Sequence, residues 1–152
     1  MDAYDRQWHR SQSVEGEWSE GQQLTLVAFD GEQPAGFATM GVGLSHDEEN
    51  EVALNVNVEL VYVSPSYRGR GFGLDLSLAS GSLLEHFVLA VCRACPEGHT
   101  VAPMLSADYF SEGGERFTEH LANSLALLYD LQDQFDLADG VSLERAIVEV
   151  GY

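Results

Sequence analysis

Lysine is absent from this chain of 152 residues: all seven basic side chains are arginines, set against 25 aspartates and glutamates for a formal net charge of −18. A Walker A loop needs a lysine after its last glycine, so that phosphate-binding motif is excluded. So large a negative surplus repels phosphate backbones and anionic bilayers, which argues against nucleic-acid or membrane-surface binding. It suits a cationic acceptor such as an amine or a basic protein, and it serves solubility equally well.

Cysteine is scarce too. Cys92, Cys95 and His99 form a Cys-x-x-Cys-x-x-x-His string with no fourth ligand for a tetrahedral zinc. The two thiols read as reduced side chains packed in a cytosolic core. The five histidines, His9, His46, His86, His99 and His120, show no metal-ligand spacing, so no metal is expected. Long apolar runs are missing: the longest, Phe87 to Cys92, falls far short of a bilayer span. The N-terminus shows no basic start followed by an apolar run, so a signal peptide is not expected and a cytoplasmic protein is. Neither an internal repeat nor a linker breaks the sequence, and residues 1–152 are expected to form a single domain.

What is present is a globular composition, 45% hydrophobic with 15 glycines. Residues 1–20 are polar apart from Trp8 and Trp18 and read as a short helix or an ordered arm. Two β-branched and aromatic runs, from Leu24 to Phe29 and from Pro34 to Met40, flank Asp30-Gly31-Glu32-Gln33, which predicts a hairpin. Val52 to Val63 is the longest strand candidate, and within it Val52, Leu54, Val56 and Val58 alternate with Ala53, Asn55, Asn57 and Glu59, as in a strand with one buried face. Residues 74–95 carry a broad apolar stripe (Leu74, Leu78, Leu84, Val88, Val91 and Cys92, widened by Leu76, Leu83 and Phe87), predicting a helix on a sheet that ends at Pro96 and Gly98. Residues 101–107 read as a strand weakened by Pro103, 115–135 as a second helix, and 146–150 as a last strand. The expected fold class is α/β (α+β), a mixed sheet with helices packed on it.

The chemistry-bearing segment runs from Val58 to Leu74. A strand enters a loop with Gly69, Gly71 and Gly73, and the loop opens a helix. Glycines allow close backbone approach. Successive loop amides and the positive helix end form an anion site suited to a pyrophosphate, to which Arg68 and Arg70 add charge-assisted bonds. The spacing Gly-x-Gly-x-Gly is not the Rossmann Gly-x-Gly-x-x-Gly.

Arg68-Gly69-Arg70-Gly71-Phe72-Gly73 resembles motif A of the GNAT acetyltransferase superfamily. The likeness extends upstream through Val63-Ser64-Pro65-Ser66-Tyr67-Arg68-Gly69 and the hairpin Asp30 to Ala38, covering roughly residues 24 to 95. It implies a GNAT-like, mostly antiparallel central sheet flanked by helices, with a shortened N-terminal region where the family has a first strand and paired helices. It also implies acetyl-CoA as acetyl donor, its pyrophosphate on the amides of Arg68, Gly69, Arg70, Gly71, Phe72, Gly73 and Leu74. The pantetheine arm would pair with Val61, Tyr62 and Val63 like an added strand, and a backbone N–H there would polarise the thioester carbonyl. Glu59 takes the position of the family's general base, though it also fits as an outward polar residue of the alternating strand. Asn123 to Tyr129 resembles the family's Asn-x-x-Ala-x-x-Leu-Tyr, with the tyrosine one position early and Gln134 where a glycine is usual. Asn123 then belongs to the cofactor site and Tyr129 is the acid for the leaving thiolate, with Tyr109 in reserve. The activity implied is acetyl transfer to a primary amine of a small molecule or protein. The alternative is a non-catalytic acyl-CoA-binding or acidic protein-interaction module. The short ends imply an open acceptor cleft or one completed by a second subunit, as in a homodimer.

Overall fold

A computed structural model describes residues 4–10, 21–46, 49–108 and 112–151. The order is β1 (Tyr4–Arg10), β2 (Gln22–Asp30), β3 (Gln33–His46), β4 (Glu51–Val63), α1 (Phe72–Ala94), β5 (Thr100–Asp108), α2 (Glu112–Asp130), β6 (Ser142–Leu143) and β7 (Ile147–Gly151). Strands β1 to β4 pair in sequence order and antiparallel. β5 joins β4 in parallel, and β6 and β7 lie parallel along its far side. This is the mixed, mostly antiparallel sheet with helices that a GNAT-like fold requires.

The hairpin forms as expected: Asp30 faces Gln33 across the two-residue turn Gly31-Glu32, with Gly31 at φ +61°. At the N-terminus the expected choice of helix or ordered arm resolves, over residues 4–10, against a helix. Residues 4–10 are a strand, Tyr4 opposite Ala28 and Arg10 opposite Gln22. A polar sequence is tolerated there because edge strands draw their order from the ladder and not from burial. The first strand of the family is thus present, while Trp18 lies outside the described residues.

Pro103 sits inside β5 because of a break in the neighbouring strand. Thr100 and Val101 face Ser142 and Leu143, and pairing resumes with Met104 opposite Ile147, so residues 144–146 carry one extra residue past Pro103. A proline has no N–H for a ladder, and a bulge is where that loss is cheapest. β6 and β7 are therefore two parts of one last strand, as the sequence suggests.

Both helices cover the same face. Leu54, Val56 and Val58 of β4 and Val101 and Leu105 of β5 are buried beneath Leu76, Leu84, Val88 and Cys92 of α1 and Phe117, Leu121 and Leu125 of α2. Each fully buried leucine or phenylalanine contributes about 1.5–3 kcal/mol. By length and composition α1 could cross a bilayer, but its apolar side chains are used on the sheet. Its buried stripe is also rotated from the expected one: Leu74 and Leu78 are exposed, at 51% and 57%. The face is set by small residues, Ser77, Ser80 and Gly81, which are buried in place of those leucines, with Gly81 packed against Ser124 of α2.

Candidate functional site

The loop between β4 and α1 is built to expose its amides. Ser64 N–H donates to Ala35 O at 2.8 Å, closing β4 against β3, and a single 3-10 turn follows at Pro65–Tyr67. Gly69 and Gly71 then adopt φ of +74° and +89°. A Cβ on either would meet no neighbour within 4 Å, so it is the left-handed backbone, not crowding, that calls for glycine. Gly71 immediately precedes α1, whose first-turn N–H groups and dipole face outward there. Aromatic rings brace the loop: Tyr67 meets Phe72 edge-on at 5.3 Å, and the Arg70 guanidinium lies 5.1 Å from the Tyr67 ring centre and 3.6 Å from the Asp30 carboxylate. Arg68 donates from Nε to Val63 O at 3.0 Å.

Beside the loop lies a cavity of about 680 Å³. Its origin is the parting of two strands. β4 and β5 pair as far as Val58 opposite Ala107, after which β4 runs on to Val63 and the start of α2 fills the opening. One wall is the end of β4 and the glycine loop. The other is the first three turns of α2, with Gly113, Gly114, Arg116, Phe117 and His120. Along Val61, Tyr62 and Val63, β3 occupies one side of β4 and no described strand the other. Arg68 and Arg116 line the cavity, so two of the chain's seven cations stand where they could bond an anionic ligand.

Glu59 is the first residue after the strands part, and it is a β-bulge. Met40 faces Val58 but Thr39 faces Leu60, leaving Glu59 as the extra residue. The bulge reverses the alternation: Val61 and Val63 turn toward the core, while Leu60 and Tyr62 are exposed on the face that carries neither α1 nor α2. The Glu59 carboxylate lies along that face over Gly41 and accepts a hydrogen bond from the Gln23 amide. Bulges recur beside active sites because they re-aim one side chain.

Of the residues chosen from sequence, Val61, Tyr62, Val63, Arg68, Gly69, Gly71, Phe72, Gly73 and Leu74 all line the cavity. Arg70 shares the loop but turns its side chain to Tyr67, Phe72 and Asp30. Asn123 and Tyr129 do not line it. Tyr129 stands in the last turn of α2, its ring 4.9 Å from the Arg145 guanidinium carbon. The cause is the early start of α2 at Glu112, which spends the turns nearest the cavity on residues 113–120. Tyr109 lies outside the described residues. Arg116 and His120, spaced four apart on one helix face, were not chosen from sequence. The available signal was the rarity of arginine and the Gly113-Gly114 pair at a helix start.

Both cysteines are free thiols. Burial pushes the Cys92 thiol up to about 11, with Cys95 adding to the shift and Arg93 opposing it. Burial raises Cys95 as well. These are packed thiols and not activated nucleophiles.

The parted strands, the left-handed glycine loop and the start of α1 define the class: a mixed-sheet protein with a cleft where β4 ends and α1 begins. The sequence matches the acetyltransferase (GNAT) family over residues 1–77, from β1 through the loop into the first turns of α1, and the chain belongs to that family. No curated protein matches the chain.

Proposed function

We propose that this chain transfers the acetyl group of acetyl-CoA to a primary amine. What carries the reading is the continuous path from the unpaired side of Val61–Val63 through the positive-φ glycines to the start of α1, all in the cavity where the arginines gather. The pantetheine arm hydrogen-bonds along β4. The pyrophosphate sits on the amides of residues 69–74, with Arg68 and Arg116 on opposite walls.

The acceptor arrives over the face that bears Glu59. An alkylammonium has a pKa near about 10, so it must lose a proton before it can attack. Glu59 takes that proton, directly or through a water. The amine nitrogen then adds to the thioester carbon, and the resulting oxyanion is held by a backbone N–H at the end of β4. As the C–S bond breaks, the nitrogen gives up its second proton to solvent and the amide forms; His120, which α2 brings to the cavity, protonates the thiolate and regains its proton from solvent. The negative charge of the chain selects a cationic acceptor.

Calorimetric titration of acetyl-CoA into the wild type and a Gly71→Glu variant tests the donor site, and thiol release with a panel of amines tests transfer. Binding that Gly71→Glu abolishes, together with amine-dependent thiol release, supports the reading. Binding without release for any amine leaves an acyl-CoA-binding module, and absence of binding rejects the donor site altogether.

A further inference from the structure

At the other end of β4 from the cavity, two histidines 53 positions apart in sequence meet. His46 closes β3 and His99 stands just ahead of β5. β4 begins between them, with His46 opposite Val52 and Thr100 opposite Glu51. Thr100 N–H donates to Asn50 O at 2.9 Å, which fixes the approach to β5. The Nε2 atoms of the two rings lie 3.3 Å apart.

That separation matches the edge of a metal coordination shell. Two imidazole nitrogens at about 2.0–2.1 Å from a tetrahedral zinc ion stand about 3.3–3.4 Å from each other. The far side of one ring is also arranged for ligation. His99 Nδ1 lies 3.5 Å from Glu97 O, and a proton on Nδ1 directed at that carbonyl leaves Nε2 as a lone pair. Ligating histidines characteristically place their second nitrogen on a carbonyl or carboxylate in this way. His46 is exposed and His99 half-buried, so water has access to complete the shell. The net charge of −18 favours cations over anions at the surface.

We propose that His46 and His99 form a binding site for a divalent transition ion of the zinc type, held by the two Nε2 atoms and completed by water. Among the described residues no group of three or more His, Cys, Asp and Glu comes together, so the protein supplies two ligands and water completes the shell. The ion takes no part in acetyl transfer. It pins the end of β3 to the lead-in of β5 across the start of β4, in place of the hydrogen bond the two rings otherwise make.

The test is calorimetric titration of zinc chloride into metal-stripped protein at pH 7.5, with thermal unfolding measured with and without the ion. The wild type is expected to take up one ion and to unfold at a higher temperature with it. His46→Gln, which keeps a hydrogen-bonding group beside His99, and His99→Ala should each weaken binding at least tenfold. Cys95→Ser should bind as the wild type does. Absence of binding to the wild type, undiminished binding in both histidine variants, or loss of binding in Cys95→Ser overturns the proposal.

Discussion

The Glu59 carboxylate rests on the α-carbon of Gly41: a Cβ at Gly41 would stand 3.0 Å from Glu59 Oε1. With Gln23 donating to the other oxygen, residues of β2 and β3 fix a side chain that leaves β4 at its bulge. Gly41→Ala should displace the carboxylate and lower kcat while leaving acetyl-CoA affinity unchanged. Glu59→Gln keeps the shape but cannot take a proton, and should cost about 10²–10⁴ in kcat/KM. Thiol-release kinetics and calorimetry on the same preparations check both. Unchanged turnover in Glu59→Gln would reduce Glu59 to an outward polar residue of the strand.

Gly36 supports the opposite side of the site. A Cβ there would come within 2.5 Å of the Tyr62 carbonyl oxygen and 3.1 Å of the Val63 α-carbon, both backbone atoms with no rotamer to change. Gly36→Ala should therefore push the end of β4 off its course. The expected outcome is a stability loss of about 1–3 kcal/mol together with weaker acetyl-CoA binding, read by urea unfolding and titration. A loss of stability with full affinity would mean that the cofactor does not depend on the position of Val61–Val63.

How much of this site could be read from the sequence follows the range of the forces involved. The hairpin at Asp30–Gln33 and the glycine loop at 68–73 are set by local backbone chemistry, and both form where expected. The bulge at Glu59 is a matter of register between β3 and β4, and a period-two pattern read along one strand does not contain it. The exposure of Leu74 and Leu78 depends on α2, whose Ser124 demands a small residue at Gly81, and a helix read alone gives the stripe to its largest apolar side chains. β1 was missed because a polar edge strand takes its structure from a partner. Tyr129 was selected by a family pattern of residue types, which fixes no distance to the cavity; in α2, begun at Glu112, it falls in the last turn.

Cys92 gives the fold a dependence on alkaline pH. Its thiol is fully buried and raised from the ordinary 9.0 to about 11. The folded state thus holds the proton more tightly than the unfolded chain. The associated stability is present in full below about pH 9 and is lost as pH rises toward 11. Two pKa units correspond to roughly 2–3 kcal/mol. Urea unfolding at pH 8 and pH 10.5 should show this decline in the wild type and a smaller one in Cys92→Ala, which itself starts less stable. Equal declines in both proteins would assign the alkaline loss to other groups.

The contact of α1 with α2 offers a test of the packing that places the cavity walls. Gly81 is buried, and a Cβ on it would lie 2.7 Å from Ser124 Oγ, a hydroxyl that donates to His120 O one turn back at 3.1 Å. Gly81→Ala must either force the helices apart or break that hydrogen bond, at about 1–3 kcal/mol. Ser124→Gly removes the obstacle at the helix cost of glycine, about 1 kcal/mol. Combined with Gly81→Ala, it should recover stability beyond the sum of the single effects, a coupling that a double-mutant cycle in urea isolates. Because α2 carries Arg116 and His120 into the cavity, Gly81→Ala should also weaken acetyl-CoA binding, and the double variant should restore it. Additive energies with no recovery would show that the helices accommodate the methyl group elsewhere and that this contact does not set the width of the cavity.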